Sequence, residues 1–296
     1  MDKKNSLTHR QALELFIEHL NKKNRSPSTI VAYKKDIEQL FEFFAKQHKY
    51  IQDFQTKHLE IYVERLIKDK KFTLKTVSRK INSLKTLFKF LHKNNYVKSN
   101  IADPISHPKF KPKEPRILSN LEYKALRDTA RKNGRLYAII EILLQTGMRI
   151  GELSRLKIKD LELEQYPYTA KIESYASNPE RIITLNETAR DAIKSYLKIR
   201  PQSDNDQGYL FITRNGKQVL VRNIRTMINN AFEKSGIENA TVNDIRNTFI
   251  VYQLEHGIPL ERVAEIVGHQ RLTSTEKYLN LISNKKTKKS TKAIPL

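Results

Sequence analysis

Apolar residues in the first hundred positions recur at the three- and four-residue spacing of amphipathic helices. The spacing predicts helices over about residues 8–23, 27–44, 56–68 and 74–92, with Pro27 in the first turn of the second. In the last of these, Val77, Ile81 and Leu84 form an apolar stripe, and the basic residues between them are expected to face outward. The pattern therefore predicts a compact helical N-terminal domain over residues 1–103.

A basic, proline-rich segment follows at residues 104–117. Proline lacks a backbone N–H and disfavours both helix interiors and central strands. The residues concerned are Pro104, Pro108, Pro112 and Pro115, interspersed with Lys109, Lys111 and Lys113. We interpret this segment as an extended linker between two domains.

The second predicted domain, residues 118–282, mixes helices with a little sheet. Ser119 and Glu122 match a capping box, and the apolar run over residues 135–146 predicts a core helix that ends at Gly147. Further helices are predicted over residues 186–200, 221–234, 244–256 and 260–267. Strand patterns occupy residues 169–174 and 181–185, as a hairpin, and residues 209–212. The fold class is therefore mostly α with a small β-sheet.

The end of the chain combines a short predicted helix with a basic tail. Thr273 and Glu276 fit a capping box, which would place Tyr278 about one and a half turns into a helix. Residues 283–296 are rich in Lys, Ser and Thr, and we expect this tail to be disordered alone.

Charge narrows the choice of partner. The chain has 55 Lys and Arg residues against 32 Asp and Glu, a formal net charge of +23 and a pI near 9.9. Such an excess favours a polyanion such as nucleic acid, although a merely basic protein stays an alternative. Candidate DNA contacts are Lys34, Lys75, Arg79 and Lys80 in the helices and Lys109, Lys111 and Lys113 in the linker.

Other compositional features exclude several classes of protein. The absence of cysteine excludes disulfides, thiol nucleophiles and cysteine-based metal sites. The N-terminus lacks the apolar core of a signal peptide, and the apolar run over residues 136–144 contains Glu141 and is too short to span a bilayer. We therefore expect a cytoplasmic protein without a membrane partner.

Three polar blocks in the second domain carry the candidate chemistry. The first, residues 146–153, reads TGMRIGEL and contains Arg149, with Glu152 placed to hold its guanidinium in a bidentate pair. The second, residues 244–249, contains Arg246. The third, residues 268–278, has His269 after a glycine and Tyr278 nine residues later. Any one of these residues, taken alone, is more often a packing or surface residue.

Together, the three blocks resemble those of the tyrosine site-specific recombinases, or integrases, and the chain is similar in size to the Xer group. The matching patterns are TGxRxxEL, the arginine of HxxR, and a Gly-His pair followed by a Tyr. The resemblance implies an N-terminal helical core-binding (SAM-like) domain and a C-terminal α+β catalytic domain. It also implies that the linker lets the two domains close around DNA as a clamp.

The resemblance further implies a reaction and an assembly. Tyr278 would be the nucleophile, Arg149 and Arg246 would hold the scissile phosphate, His269 would hydrogen-bond it, and Glu152 would support Arg149. The DNA would be recombined through a 3′-phosphotyrosyl intermediate, with no metal, ATP or other cofactor. The partner would be double-stranded DNA with a specific recombination site, bound by a homotetramer on two sites, and the C-terminal segment would dock on a neighbouring subunit.

Two positions depart from the family pattern. Asn243 stands where the family usually has histidine, and asparagine cannot become positively charged or pass a proton near neutral pH. Ala176 falls on the hairpin position that the family gives to a lysine, its general acid for the leaving 5′-oxygen. Three hypotheses stay open: Lys171 substitutes, another group such as Lys217 does, or the enzyme is slow and needs an accessory protein.

Two other functions therefore stay as alternatives. The chain could be a catalytically weak or inactive accessory DNA-binding protein on the recombinase scaffold, or a nicking and closing enzyme similar to type IB topoisomerases. The sequence contains no P-loop, HExxH or GxGxxG pattern that would favour another chemistry.

Overall fold

The computed structural model describes residues 6–111, 113–176 and 178–282. The chain divides into two units, the first ending at Lys113 and the second beginning at Glu114. The predicted basic tail, residues 283–296, lies outside the described residues, as does Pro112 of the predicted linker.

Unit 1 contains helices at the four places where the apolar spacing predicts them. Polar residues cap three of these helices: Thr8 forms a capping box with Gln11, and Ser26 and Thr73 accept from backbone N–H groups of the first turn. The helices are α1 (His9–Lys22), α2 (Pro27–Phe44), α3 (Thr56–Lys68) and α4 (Leu74–Lys93). Their apolar stripes meet in one core, with large buried side chains such as Phe16, Leu40 and Phe88.

One basic residue of α4 lies inside this core, against expectation. Lys80 is 3% exposed, and its ammonium donates to the buried carboxylate of Asp36 at 3.0 Å. Position 80 lies on the same helix face as Val77, Ile81 and Leu84, which explains its burial. The prediction that Lys80 faces outward is wrong, whereas Lys34, Lys75 and Arg79 are exposed.

Unit 2 is built around a buried helix, α6. The elements of unit 2 are α5 (Asn120–Ala130), α6 (Gly134–Thr146), α7 (Ile150–Arg155), β1 (Leu161–Glu162), β2 (Thr169–Ile172), β3 (Arg181–Thr184), α8 (Glu187–Ile199), α9 (Val221–Lys234), α10 (Val242–Glu255), α11 (Leu260–Val267) and α12 (Thr273–Glu276). The capping box of Ser119 and Glu122 forms as predicted. Glu141 of α6 is fully buried, and its carboxylate accepts from the guanidinium of Arg127.

The sheet has three antiparallel strands in the order β1-β2-β3. β2 and β3 form the predicted hairpin, in which Ile172 pairs with Arg181 and Lys171 with Ile182. The two-residue strand β1 is too short to show a pattern in sequence. The predicted strand over residues 209–212 forms only isolated bridges, from Tyr209 and Ile212.

The predicted fold class, mostly helical with a small sheet, is confirmed. Across the described ranges, no helix is long and apolar enough to cross a membrane.

Candidate active site

The first arginine stands on a sharp turn between two helices. α6 ends at Thr146, and Gly147 follows in the left-handed conformation with φ of 59°. A Cβ atom on Gly147 would lie 2.3 Å from a carbon of the Phe249 ring, so a side chain would not fit there. Arg149 is then the N-cap residue of α7. Gly147 thus sets the direction of the backbone between α6 and Arg149.

Glu152 binds Arg149, but not through the expected bidentate pair. One carboxylate oxygen accepts from Nη1 of Arg149 at 3.0 Å, and the other accepts from the Arg149 backbone N–H at 2.8 Å. Nη2 of Arg149 donates instead to the carbonyl of Gly268 at 2.8 Å. The bidentate prediction is wrong because Glu152 also closes the capping box of α7. Arg149 therefore connects α7 to the turn after α11.

The second arginine reaches the same turn from α10. Arg246 donates to the carbonyl of Gly147 and, at 2.7 Å, to the carbonyl of Val267. Val267 also accepts from Arg149 Nη1 at 3.3 Å. Burial, together with the charge of Arg149, lowers the pKa of Arg246 to about 9, so the side chain stays protonated at pH 7. Two guanidinium groups from distant parts of the sequence are thereby brought together.

His269 lies on the turn that accepts these hydrogen bonds. α11 ends at Gly268, which has φ of 67°, and the Nδ1 atom of His269 lies 2.8 Å from the Thr275 hydroxyl. Burial first, and then the charges of Arg246 and Arg149, lower the pKa of His269 to about 4. The imidazole is therefore neutral at pH 7.

Tyr278 follows α12, which is shorter than predicted. α12 spans only Thr273–Glu276 and has no side-chain cap, so the predicted capping box is wrong and Tyr278 lies in the next turn. The ring is 3% exposed and packs in a cluster with Phe249 and Val267. Burial raises the pKa of Tyr278, and the charge of Arg246 opposes that shift. The hydroxyl is consequently protonated at neutral pH.

The Tyr278 hydroxyl donates to Oδ1 of Asn247 at 2.7 Å. The amide nitrogen of Asn247 faces two acceptors, the carbonyl of Arg116 at 3.2 Å and the carboxylate of Asp244 at 3.1 Å. These two acceptors fix the orientation of the amide and leave its oxygen for the tyrosine. Sequence reasoning missed Asn247, and its position directly after Arg246 was the available signal.

Arg181 is a second residue that sequence reasoning missed. Its guanidinium donates to both carboxylate oxygens of Glu152, at 3.0 and 2.8 Å, and its Nε donates to the carbonyl of Ile266 at 2.9 Å. Although burial alone would raise the pKa of Glu152, the hydrogen bonds and charge of Arg181, and then those of Arg149, lower it. The signal in the sequence was that Arg181 matches the arginine of the GKGxKxR stretch that the family has in this hairpin.

Lys171 lies on the other face of the hairpin. Side chains alternate between the faces of a strand, and paired residues share a face. Arg181 pairs with the buried Ile172, whereas Lys171 pairs with Ile182, which is 68% exposed. The Lys171 ammonium lies 3.1 Å from the carboxylate of Glu180. The structure therefore does not bring Lys171 to the Arg181 side of the sheet.

The other candidates are exposed. Asn243 lies in the first turn of α10, and Lys217 lies in the turn between Thr213 and Gln218. Ala176 is at the tip of the hairpin with φ of 52°, so it already has a left-handed conformation. Among the described residues, no group of three or more His, Asp or Glu side chains could hold a metal ion.

Two family profiles match the sequence. The phage integrase family matches residues 115–285, and the N-terminal SAM-like domain of phage integrases matches residues 13–95. One match lies in each unit.

Among curated relatives, the tyrosine recombinase XerC of Leptospira interrogans serogroup Icterohaemorrhagiae serovar copenhageni is 30% identical over 278 residues. That alignment covers 91% of this chain and 88% of the relative. The tyrosine recombinase XerC of Lactobacillus delbrueckii subsp. bulgaricus is 29% identical over 280 residues, covering 90% of this chain and 93% of the relative.

Solved structures agree with these matches. XerA recombinase is 26% identical with a TM-score of 0.55, and the match covers 96% of this chain and all of that one. XerH site-specific recombinase, bound to a palindromic difH substrate, has a TM-score of 0.76 at 20% identity, with 96% of this chain and 84% of that one covered. A lambda integrase tetramer on a Holliday junction has a TM-score of 0.74 at 16% identity, with 93% and 78% covered. The last two similarities concern the fold alone.

Proposed function

Because this chain belongs to the phage integrase family and is a tyrosine recombinase, we propose that it recombines DNA at a specific site through a 3′-phosphotyrosyl intermediate, without metal or ATP. One observation carries the proposal: Arg149 and Arg246 converge on the carbonyls of Val267 and Gly268, beside His269. These guanidinium groups supply the positive charge that a scissile phosphate needs.

The proposed step is an in-line exchange at phosphorus. The phenolic oxygen of Tyr278 forms a bond to phosphorus, and the bond from phosphorus to the 5′-oxygen breaks. The phenolic proton passes to the neutral imidazole of His269, and the 5′-oxygen takes up a proton from a general acid to become a hydroxyl. One phosphodiester bond replaces another, so the energy needed for rejoining is retained.

Each group has a definite role in this proposal. Arg149 and Arg246 bind the non-bridging oxygens and stabilise the charge that develops on them. His269 is neutral and offers a single N–H to the phosphate, and the phosphate's negative charge favours its protonation during the reaction. Tyr278 must leave Asn247 to attack, because an amide oxygen accepts a hydrogen bond but does not remove a proton.

The general acid that gives a proton to the 5′-oxygen is not assigned to any residue. Ala176 cannot donate it, Lys171 points away from Arg181, and Lys217 is exposed in a separate turn. This gap favours a second candidate function, a catalytically weak or inactive accessory DNA-binding protein. An enzyme that acts like a type IB topoisomerase would instead relax supercoiled DNA without any specific site.

The proposed partner is double-stranded DNA. Lys34, Lys75 and Arg79 are exposed in unit 1, and Lys109, Lys111 and Lys113 are exposed before unit 2, so all six can meet phosphates. The described relatives include XerH bound to difH DNA and a lambda integrase tetramer on a Holliday junction. We accordingly propose a homotetramer on two DNA sites, with an accessory protein where the chain alone is slow.

Covalent trapping tests the proposal. The protein is mixed, without metal or ATP, with a nicked suicide DNA duplex. The duplex carries the sequences that flank the protein's own gene as the candidate recombination site, and the products are separated on a denaturing gel. We expect an adduct with the wild type and with Tyr252→Phe, a control on a half-exposed tyrosine of α10, and none with Tyr278→Phe.

The outcomes separate the candidates. Specific binding without an adduct in any variant supports the accessory protein. Relaxation of supercoiled plasmid without the site supports the topoisomerase-like enzyme. An adduct that persists in Tyr278→Phe contradicts the assignment of the nucleophile.

A further inference from the structure

One buried carboxylate in unit 2 is shared by two arginines. The side chain of Glu152 is 4% exposed and binds Arg149, whose side chain is 33% exposed, and Arg181, whose side chain is 10% exposed. Arg181 uses two guanidinium nitrogens on Glu152, whereas Arg149 uses one guanidinium nitrogen and its backbone N–H. Arg149 thus keeps an accessible guanidinium while Arg181 is fully engaged.

Arg181 also packs against the turn that bears His269. Its third nitrogen, Nε, donates to the Ile266 carbonyl. A Cβ atom on Gly268 would lie 2.8 Å from the guanidinium carbon of Arg181, so the turn and the guanidinium are in direct contact. One side chain therefore connects β3, α7 and the turn after α11.

The charges of the cluster show what Arg181 adds. Arg149, Arg181 and Arg246 contribute three positive charges, and Glu152 removes one, which leaves a net charge of two. Without Arg181 a net charge of one would be left. A phosphodiester carries one negative charge, but a five-coordinate phosphorus transition state carries two. Arg181 therefore makes the cluster complementary to the transition state rather than to the bound substrate.

We propose that Arg181 is a positioning residue for the cleavage step, acting through Glu152 and the His269 turn. Together with the capping bond from the Arg149 backbone N–H, Arg181 occupies both oxygens of Glu152, which keeps that carboxylate from forming a bidentate pair with the Arg149 guanidinium and drawing it away from the phosphate. This inference rests on the proposed function.

The fold offers a matched control. Arg200, at the end of α8, is also nearly buried, with a side chain 9% exposed. It donates to both oxygens of Asp206, and its Nε donates to the carbonyl of Leu210. Arg200 reproduces the contacts of Arg181 away from the candidate site, so Arg200→Met measures what losing such a network does to the fold.

The test compares Arg181→Met, Arg181→Lys and Arg200→Met in the full chain. Single-turnover adduct formation is measured on two suicide duplexes, one with an ordinary scissile phosphate and one with a methylphosphonate, whose transition state carries one negative charge fewer. DNA affinity and the melting temperature are measured in parallel.

We expect Arg181→Met to slow cleavage of the ordinary duplex on the order of 10- to 100-fold, by analogy with residues that orient the ligands of a metal site. The defect should shrink on the methylphosphonate, because the remaining net charge then matches the transition state. Arg181→Lys should be intermediate, since lysine restores the charge without the two-nitrogen contact. Arg200→Met should leave the cleavage rate near that of the wild type.

Other results would overturn the inference. Equal slowing of Arg181→Met on both duplexes, or equal slowing of Arg200→Met, would make Arg181 only structural. Cleavage at the wild-type rate by Arg181→Met would show that Arg181 has no role in the cleavage step. An absence of adduct in the wild type on both duplexes would instead refute the proposed function, and this inference with it.

Discussion

Each unit of the protein buries one carboxylate between two cations. The two clusters differ in how much positive charge remains without a carboxylate to balance it. In unit 1, Asp36 binds Arg79 and Lys80 and accepts from the hydroxyl of Ser83 at 2.7 Å. In unit 2, Glu152 binds Arg149 and Arg181. Both carboxylates are almost fully buried.

The difference lies in the surroundings. Lys80 is as buried as Asp36, and the cluster joins α2 to α4 inside the core of unit 1. Around Glu152 a third cation, Arg246, is added, together with His269 and Tyr278. Backbone carbonyls at two helix ends accept from these arginines but bring no full negative charge. Positive charge exceeds the carboxylate in both clusters, by one in unit 1 and by two in unit 2, so a buried ion cluster indicates a site only where the larger excess lies beside groups that can do chemistry, here His269 and Tyr278.

The largest effect is expected from a substitution that breaks the unit 1 cluster. Asp36→Asn leaves the buried Lys80 ammonium without its counter-charge, which should lower the free energy of unfolding by about 3–5 kcal/mol. Urea unfolding of the full chain, followed by circular dichroism, measures this. Asp128→Asn is the control, because Asp128 is exposed and pairs with an exposed Arg131. Equal losses in both variants would contradict the comparison.

The next largest effect is expected from a substitution that breaks the hydrogen bonds of the unit 2 cluster but keeps its charge. Arg246→Lys should slow adduct formation about 100- to 1000-fold, the typical result of losing one oxyanion donor, with DNA affinity little changed. Arg79→Lys, the partner of Asp36, should leave the rate at saturating DNA near that of the wild type. Single-turnover rates and a binding titration give both quantities. A slow Arg79→Lys enzyme would mean that the unit 1 cluster also acts in chemistry.

A third change would sharpen the comparison by supplying the missing proton donor. Ala176→Lys should raise the adduct rate at least about tenfold, since a positioned general acid contributes that much or more. Ala176 already has positive φ, so lysine adds no new backbone strain. Lys171→Ala should change the rate little, because Lys171 lies on the outer face and pairs with Glu180. A large loss in Lys171→Ala would make Lys171 the general acid.

The smallest effect concerns pH. His269 has its pKa lowered to about 4, below the ordinary value of 6.5, so between these pH values the unfolded chain binds a proton that the native chain does not. The free energy of unfolding therefore falls as the pH drops from 6.5 towards 4. His269→Gln should show a shallower fall in urea midpoint, and His256→Gln, at an exposed histidine, should keep the wild-type slope. Parallel slopes in all three proteins would contradict the lowered pKa.

The sequence by itself determined the elements whose signals are local. The capping box of Ser119 and Glu122 and the left-handed Gly147 depend on residues within one turn, and both form as predicted. The burial of Lys80 was also readable, because position 80 lies on the apolar stripe of α4. The wrong prediction at Thr273 shows the limit: a capping pattern matched, but Leu272 already has helical backbone angles and the helix ends at Glu276.

Only the tertiary structure decided how the site is assembled. Glu152 takes Arg181 rather than Arg149 as its bidentate partner because strand pairing places Arg181 over the turn after α11. The same pairing sends Lys171 to the opposite face. Tyr278 finds Asn247 across 31 residues of sequence. Residue types and spacings define which groups are available, but hydrogen bonds between distant segments form only once the core has fixed their distances and directions.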